Sequence, residues 1–271
     1  MRERNLASWE QFEVELRLLR EERSNRKASS VLHISNFLFR GHSEHTWRLS
    51  TTLERQGKGT LTLRQYYRLI SAARPQIETL TETTWNVPEY PEYEKWLSEN
   101  DTLIPGRFPG YDYMVYLRHH GFPSPLLDWT RSPYVAAYFA FAHAVNLDSK
   151  VSIYVYLEYA GNAKAYSSRT PHIHGLGPYV RTHRRHFLQQ SEYTICLAYD
   201  EEWRYAPHEE ALACADESQD LLWKFNIPSV ERLKVLKLLD EHNINAFSLF
   251  GSEDSLMETV ALRELHFRER G

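Results

Sequence analysis

"HHGFPSPLLDWTRSPYVAAYFAF", His119 to Phe141, decides how this chain is read. An apolar Pro-Leu-Leu run leads into Asp128-Trp129-Thr130. A helix then begins, with Ser132 at its N-cap and Pro133 at its first position. Its small Ala positions predict close packing on a neighbour. A helix N-terminus with free N–H groups and a hydroxyl beside it suits an anion or a ribose edge. Trp129 offers a flat ring for stacking. The plainer account is that Asp128, Thr130 and Ser132 only satisfy turn and cap groups.

Upstream, "YDYMVYLRHHG" predicts a helix ending at Gly121, a natural left-handed terminator. "SWEQFEVELRLLREER" (8–23) predicts an amphipathic helix capped by Ser8, with Trp9, Phe12, Leu16 and Leu19 on one face. Residues 34–40 predict a strand, and "ERQGKGTLT" a turn-rich connection. "LTLRQYYRLISAA" predicts a helix stopped by Pro75. Residues 84–110 predict ordered loops or short helices. Downstream, 151–158, 191–199 and "LLWKFNIP" predict strands. "SVERLKVLKLLDEHNI" and "SEDSLMETVALRELHF" predict helices. Helices early and late, with strands in the second half, predict an α+β fold with mixed or antiparallel strands. We find no repeat and no clean linker, so residues 1–271 are expected to form one domain with a helical extension over 1–30.

The 271 residues are 42% hydrophobic and 25% charged, as in ordinary globular proteins. A chain of this size buries about three quarters of its unfolded surface. Aromatics reach 13%, which fits an aromatic core or a ring-lined cleft. The two cysteines, Cys196 and Cys214, exclude a disulfide framework. No apolar run approaches the roughly 20 residues that span a bilayer. The charged start "MRERNLASWEQF" lacks a signal core, so a cytoplasmic protein is expected. The net charge of −4 carries no overall nucleic-acid signature.

No familiar phosphate loop or zinc-protease motif is present. Recognition of an anion must come from isolated side chains. Arg40-Gly41, in "FLFRGHSEHTWRL" (37–49), closes an apolar run with a planar fork for phosphate and a residue that lets a ligand approach the backbone. An Arg paired with an internal carboxylate is the plainer account. Gln190 and Glu192 are two apart at a strand start and so are expected on one side of the sheet. "RTHRRH" (181–186) is a basic loop suited to phosphates or simply to solvent. His172, His174, His183 and His186 lack a clear carboxylate or Cys partner, and no metal is expected.

"FLFRG", "HHGFPSPLLDWTRSPYVAAYFAF" and "FLQQSEYT" together resemble the FRG domain, named for its Phe-Arg-Gly motif, over about residues 34–200. Two departures stand out: His119 where members often carry Gln, and Gln189 to Tyr193 where they favour Gln-x-Gly-x-Phe. The order of motifs is also similar to the Arg-Ser-Glu class of the ADP-ribosyltransferase superfamily. There an aromatic-Arg-Gly strand precedes a Ser-Thr-Ser strand and helix, and a Gln/Glu-x-Glu strand comes last. Phe39-Arg40-Gly41 and Gln190-Ser191-Glu192 match the first and third. Trp129 to Ser132 stands loosely for the second.

That resemblance implies a split, mixed or antiparallel sheet with flanking helices, and NAD as substrate. Glu192 is the expected catalytic carboxylate, with Gln190 orienting the acceptor. Arg40 would hold the pyrophosphate or its ribose, and Asp128 and Thr130 the nicotinamide side. Trp129 or Tyr138 would stack on a ring. Gly41 and His119 complete the expected cofactor set. The loop before the Gln-x-Glu strand faces the acceptor in that superfamily. Arg181, Arg184, Arg185 and Phe187 are therefore expected to hold nucleic acid, single-stranded RNA more than DNA. Small transferases of this kind often occur as toxins or anti-phage effectors, so an antitoxin or chaperone partner is also expected. A protein acceptor, an NAD glycohydrolase and a non-catalytic nucleotide-binding module are the alternatives.

Overall fold

The computed structural model describes residues 1–100, 108–161, 164, 170–213 and 219–268. Cys214 and the first three residues of "PGRFPGYD" lie outside them. The first half of the chain runs β1 (Arg2–Asn5), α1 (Trp9–Ser29), β2 (Leu38–His42), α2 (Thr52–Arg55), α3 (Leu63–Thr81), α4 (Tyr90–Glu99), α5 (Tyr111–His119), β3 (Leu127–Thr130) and α6 (Pro133–Ala142). The second half runs β4 (Lys150–Tyr159), β5 (His172–Gly175), α7 (Arg185–Leu188), β6 (Ser191–Asp200), β7 (Glu202–Tyr205), α8 (His208–Ala213), β8 (Gln219–Pro228), α9 (Arg232–Glu241), α10 (Ala246–Phe250) and α11 (Glu253–Leu262).

The fold is α+β. The strands order as β1-β8-β4-β2-β3-β6-β5, with β7 also on β6. Only β1–β8 is parallel among the pairings described. The hydrogen-bonded path is continuous instead of split. It thins, however, at one junction, where β2 meets β3 through the single register pair Phe39–Thr130.

Directly paired residues share a face, and faces alternate along each strand. Phe39, Val155 and Phe225 lie on one face, under a layer made by α1, α6 and α9. Tyr193, Ile195 and Leu197 of β6 lie on the same face, under a second layer made by α3, α4 and α5. The opposite face buries Leu38, Trp129, Tyr156 and Cys196 against α8. Most of the aromatic richness is core. Trp9, Tyr66, Tyr67, Tyr93, Tyr113, Tyr156 and Tyr193 are among the largest fully buried side chains. Tyr67 and Tyr93 stack with centroids 3.6 Å apart.

Several local expectations hold. Trp9, Phe12, Leu16 and Leu19 form the buried stripe of α1, each contributing about 1.5–3 kcal/mol by burial. Ser132 accepts from the Val135 N–H at 3.3 Å and starts α6 with Pro133. Gly121 follows α5 at φ 85°, and Cys196 is a buried free thiol. Other expectations fail for identifiable reasons. Ser8 precedes α1 but makes no side-chain cap bond. Pro75 does not stop α3, which continues to Thr81; its ring is exposed, so the carbonyl it leaves without a donor can turn to water. Arg40 does not end its strand, because β2 runs on to His42. The first 30 residues add the edge strand β1 as well as a helix.

Candidate anion-binding cleft

At the β2–β3 junction the ladder opens and side chains take over. The Arg40 guanidinium reaches across and donates through Nη1 to the Asp128 carbonyl at 2.6 Å and to Asp128 Oδ1 at 2.5 Å. Arg118, at the end of α5, donates to the same Oδ1 at 2.7 Å. Burial opposes a charge on Asp128. The Arg118 and Arg40 guanidiniums outweigh it and hold the carboxyl well below its ordinary range. The plainer account of Arg40, an internal ion pair, is therefore part of the truth.

One carboxylate does not balance the group. Arg55, the last residue of α2, donates to the Ser50 carbonyl at 3.1 Å and pairs with no carboxylate among the described residues. Burial lowers its pKa, and repulsion from Arg40 and Arg118 lowers it further. Arg40 and Arg118 thus bind Asp128 directly, while Arg55 feels only the more distant pull of Asp128 and Glu54. His42 adds no charge, since burial and then Arg40 push its pKa down to about 3. Its neutral Nε2 accepts from Arg40 Nε at 3.0 Å.

A cleft of about 580 Å³ lies over this junction. Of the residues expected from sequence, it brings together Arg40, Gly41, Asp128, Trp129 and Thr130. Trp47, Arg48, Arg55, Phe139, His143 and Gln189 also line it; sequence reasoning missed them. Asp128 is the only carboxylate in that lining among the described residues. Arg48 is already satisfied by Glu209 at 2.6 Å.

Not every member of this set is free for a ligand. A Cβ on Gly41 would run into the Ala136 carbonyl and come within 2.7 Å of the Ala140 amide nitrogen. Gly41 is therefore required by the seating of α6 on β2, more than by approach of a ligand. The Trp129 ring stacks on Tyr156 with centroids 5.2 Å apart. Its Nε1 donates to Thr194 Oγ1 at 2.9 Å, so it walls the cleft and has little face to offer. Thr130 Oγ1 donates to the Gln189 carbonyl at 2.7 Å and accepts from the Ser132 N–H.

Four expected residues sit elsewhere. Tyr138 is buried in the α6 layer, where its hydroxyl meets Glu258 at 3.3 Å, and it reaches the cleft-lining Phe139 only edge-on, at 5.8 Å. His119 is on the α5 side of the sheet, and burial pushes its pKa down to about 4. Its Nε2 meets the Tyr193 hydroxyl at 2.7 Å. Gln190 takes a left-handed φ of 50° before β6 begins, so strand alternation does not pair it with Glu192. Gln189 faces the cleft in its place. Glu192 is paired across to Trp129 and lines a neighbouring cavity with Leu38, Glu158 and Gly175. Burial raises its pKa, with Arg131, 3.7 Å away, acting in the opposite direction.

The basic loop is partly committed to the fold itself. Arg184 donates to the Gly251 carbonyl, and Arg185 lies 5.4 Å over the Phe250 ring. His186 is buried against Tyr193 and the Pro178 carbonyl. Arg181 is exposed, as are Phe187 and Tyr179. His172 and His174 are buried on β5. Among the described residues there is no group of three or more His, Cys, Asp or Glu that could hold a metal. Nor is any described helix long and apolar enough to cross a membrane.

No curated protein and no solved structure matches the chain. A family model does match, and the matched segment runs from just before β2 through α6, so it holds Arg40, Arg55, Arg118 and Asp128 but stops short of Glu192 and the basic loop. Residues 35–149 match the FRG domain, and the cleft's charged cluster lies wholly inside that match.

Proposed function

We propose that the cleft binds the diphosphate of NAD and that the protein is an ADP-ribosyltransferase acting on nucleic acid, with single-stranded RNA the favoured acceptor. The observation that carries the reading is the charge imbalance at the β2–β3 junction. Arg40, Arg55 and Arg118 gather around Asp128, the only carboxylate lining the cleft among the described residues. A bound diphosphate relieves their mutual repulsion and takes charge-assisted hydrogen bonds from Arg40 and Arg55, the two of them that line the cleft.

In the proposed reaction the bond between the ribose C1′ and nicotinamide breaks, and its electron pair leaves with nicotinamide. Positive charge grows on the ribose. A nucleophilic atom of the acceptor then bonds C1′ and gives up its proton to solvent. Glu192 is the candidate carboxylate that stabilises the developing charge. Leu38 lines its cavity and Arg40 lines the cleft, so one strand walls both spaces. Arg181, Tyr179 and Phe187 remain exposed to hold phosphates and bases of the acceptor.

A second reading is favoured by one specific observation. Glu192 lines the neighbouring cavity and not the cleft, which suits a module that binds a nucleotide without transferring it. Incubation with labelled NAD and separate pools of RNA, DNA and protein tests both. Label in RNA that disappears with Glu192→Gln supports transfer. NAD binding with no label in any pool and no nicotinamide release leaves the binding module.

A further inference from the structure

Among the described residues Trp47 is the one large aromatic ring lining the cleft that is exposed. It is 56% exposed, although it lines the cleft beside Arg48, Ser50 and Arg55. Its backbone is tied down, because the N–H donates to the Glu44 carbonyl at 3.2 Å and the carbonyl accepts from the Tyr154 hydroxyl at 3.4 Å. On one side the ring leans on His42, with centroids 6.2 Å apart. His42 is itself fixed, since it accepts from Arg40 and packs against Tyr154 at 5.0 Å. The indole thus stands on an anchored backbone beside a fixed neighbour, lining the cleft with apolar area left in water. Trp129, by contrast, spends its face on Tyr156 and its N–H on Thr194.

The order of groups along β2 gives the ring a role. Leu38 lines the cavity that holds Glu192, Arg40 lies at the charged junction, and His42 touches Trp47. Leu38 to His42 spans about 13 Å of strand. We propose that Trp47 is the adenine platform of the cleft, so that a dinucleotide lies along β2 with its adenine on Trp47 and its diphosphate on Arg40 and Arg55. Its second ribose then points towards Glu192. The proposal rests on the reading of the cleft as a dinucleotide site and adds the direction in which the dinucleotide lies. Stacking on indole needs only a flat base, and the adjacent guanidiniums supply the preference for a phosphorylated one.

Calorimetric titrations of ADP, pyrophosphate and nicotinamide mononucleotide into wild type, Trp47→Ala and Trp47→Phe test this. Trp47→Ala is expected to weaken ADP by about 10-fold and to leave pyrophosphate and nicotinamide mononucleotide unchanged. Trp47→Phe is expected to restore most of the ADP affinity. Equal loss for ADP and pyrophosphate overturns the stacking role, as does unchanged ADP binding; in the latter case the cleft reading stands. Weakening of nicotinamide mononucleotide instead of ADP reverses the orientation and overturns the proposal. If wild type binds neither ADP nor pyrophosphate, the reading of the cleft falls, and this proposal falls with it.

Discussion

The β4–β8 ladder and the β2–β3 junction belong to one sheet and behave as opposites. β4 and β8 share nine register pairs, from Lys150–Pro228 to Tyr159–Gln219. Val151, Ile153 and Val155 from one strand and Phe225 and Ile227 from the other bury a continuous apolar face there. β2 and β3 share one pair. Where the backbone stops pairing, a guanidinium donates to the Asp128 carbonyl, charges collect, and a cleft opens. A complete ladder satisfies its own backbone, so its side chains pack on one face and pair with one another on the other, as Ser152 does with Asn226 and Tyr156 with Asp220. An interrupted one leaves polar backbone groups that need partners, and those partners are well placed to meet a ligand.

The largest expected effect lies at the edge of the open region. Glu192→Gln should lower ADP-ribosyl transfer by about 100-fold or more with an unchanged melting temperature, measured with labelled NAD and by circular dichroism. Full activity would remove Glu192 from the chemistry. Gly41→Ala is of comparable size and attacks the packed side of the comparison. Its Cβ would strike α6 backbone, so a loss of about 3 kcal/mol or more is expected by urea unfolding. A tolerated alanine would mean that α6 is not seated as described.

Asp128→Asn should be milder, costing about 1–3 kcal/mol, because the carboxylate is partly exposed and its loss leaves three guanidiniums facing one another. The same group fixes a pH dependence. Its folded pKa is depressed, so its stabilisation is complete above the unfolded value near 3.8 and drains away as pH falls below it. Wild type should lose more stability than Asp128→Asn over that acid range, read as unfolding midpoints. The smallest effect is a shift of profile. Burial raises the Glu192 pKa above its ordinary 4.5, so the acid limb of kcat/KM should lie above that value. Arg131→Ala removes the nearby charge that holds it down and should move the limb higher still.

Much of the packed region was legible in the sequence, and much of the open region was not. The Ser132-Pro133 start of α6 and its Ala positions declare a capped helix that packs closely, and Gly41 is where it packs. β4, β6 and β8 are long and apolar enough to read as strands. β1 reads "RERN" and is exposed throughout; its pairing comes from the β8 edge, not from its own pattern. Arg40 stood out because a cation closed an apolar run. Arg55 and Trp47 did not, since each looks like ordinary turn or loop content until the junction brings it to the cleft. Tyr138 misled because α6 is apolar on nearly every side, so composition does not tell which ring faces the cleft. Gln190 misled because a left-handed residue interrupts the alternation that would have paired it with Glu192.

The central claim is that surplus positive charge at the β2–β3 junction holds a diphosphate, and Arg55 isolates it. Arg55 has no carboxylate partner among the described residues and is repelled by Arg40 and Arg118 more than Asp128 and Glu54 attract it. The decisive measurement is calorimetric titration of NAD into wild type and Arg55→Ala, with melting temperatures taken in parallel. Saturable binding to wild type is expected, with about 10-fold weaker binding to the variant and a melting temperature that is unchanged or raised. Equal NAD affinity in the two proteins, or a variant that loses affinity only because it unfolds, would contradict it.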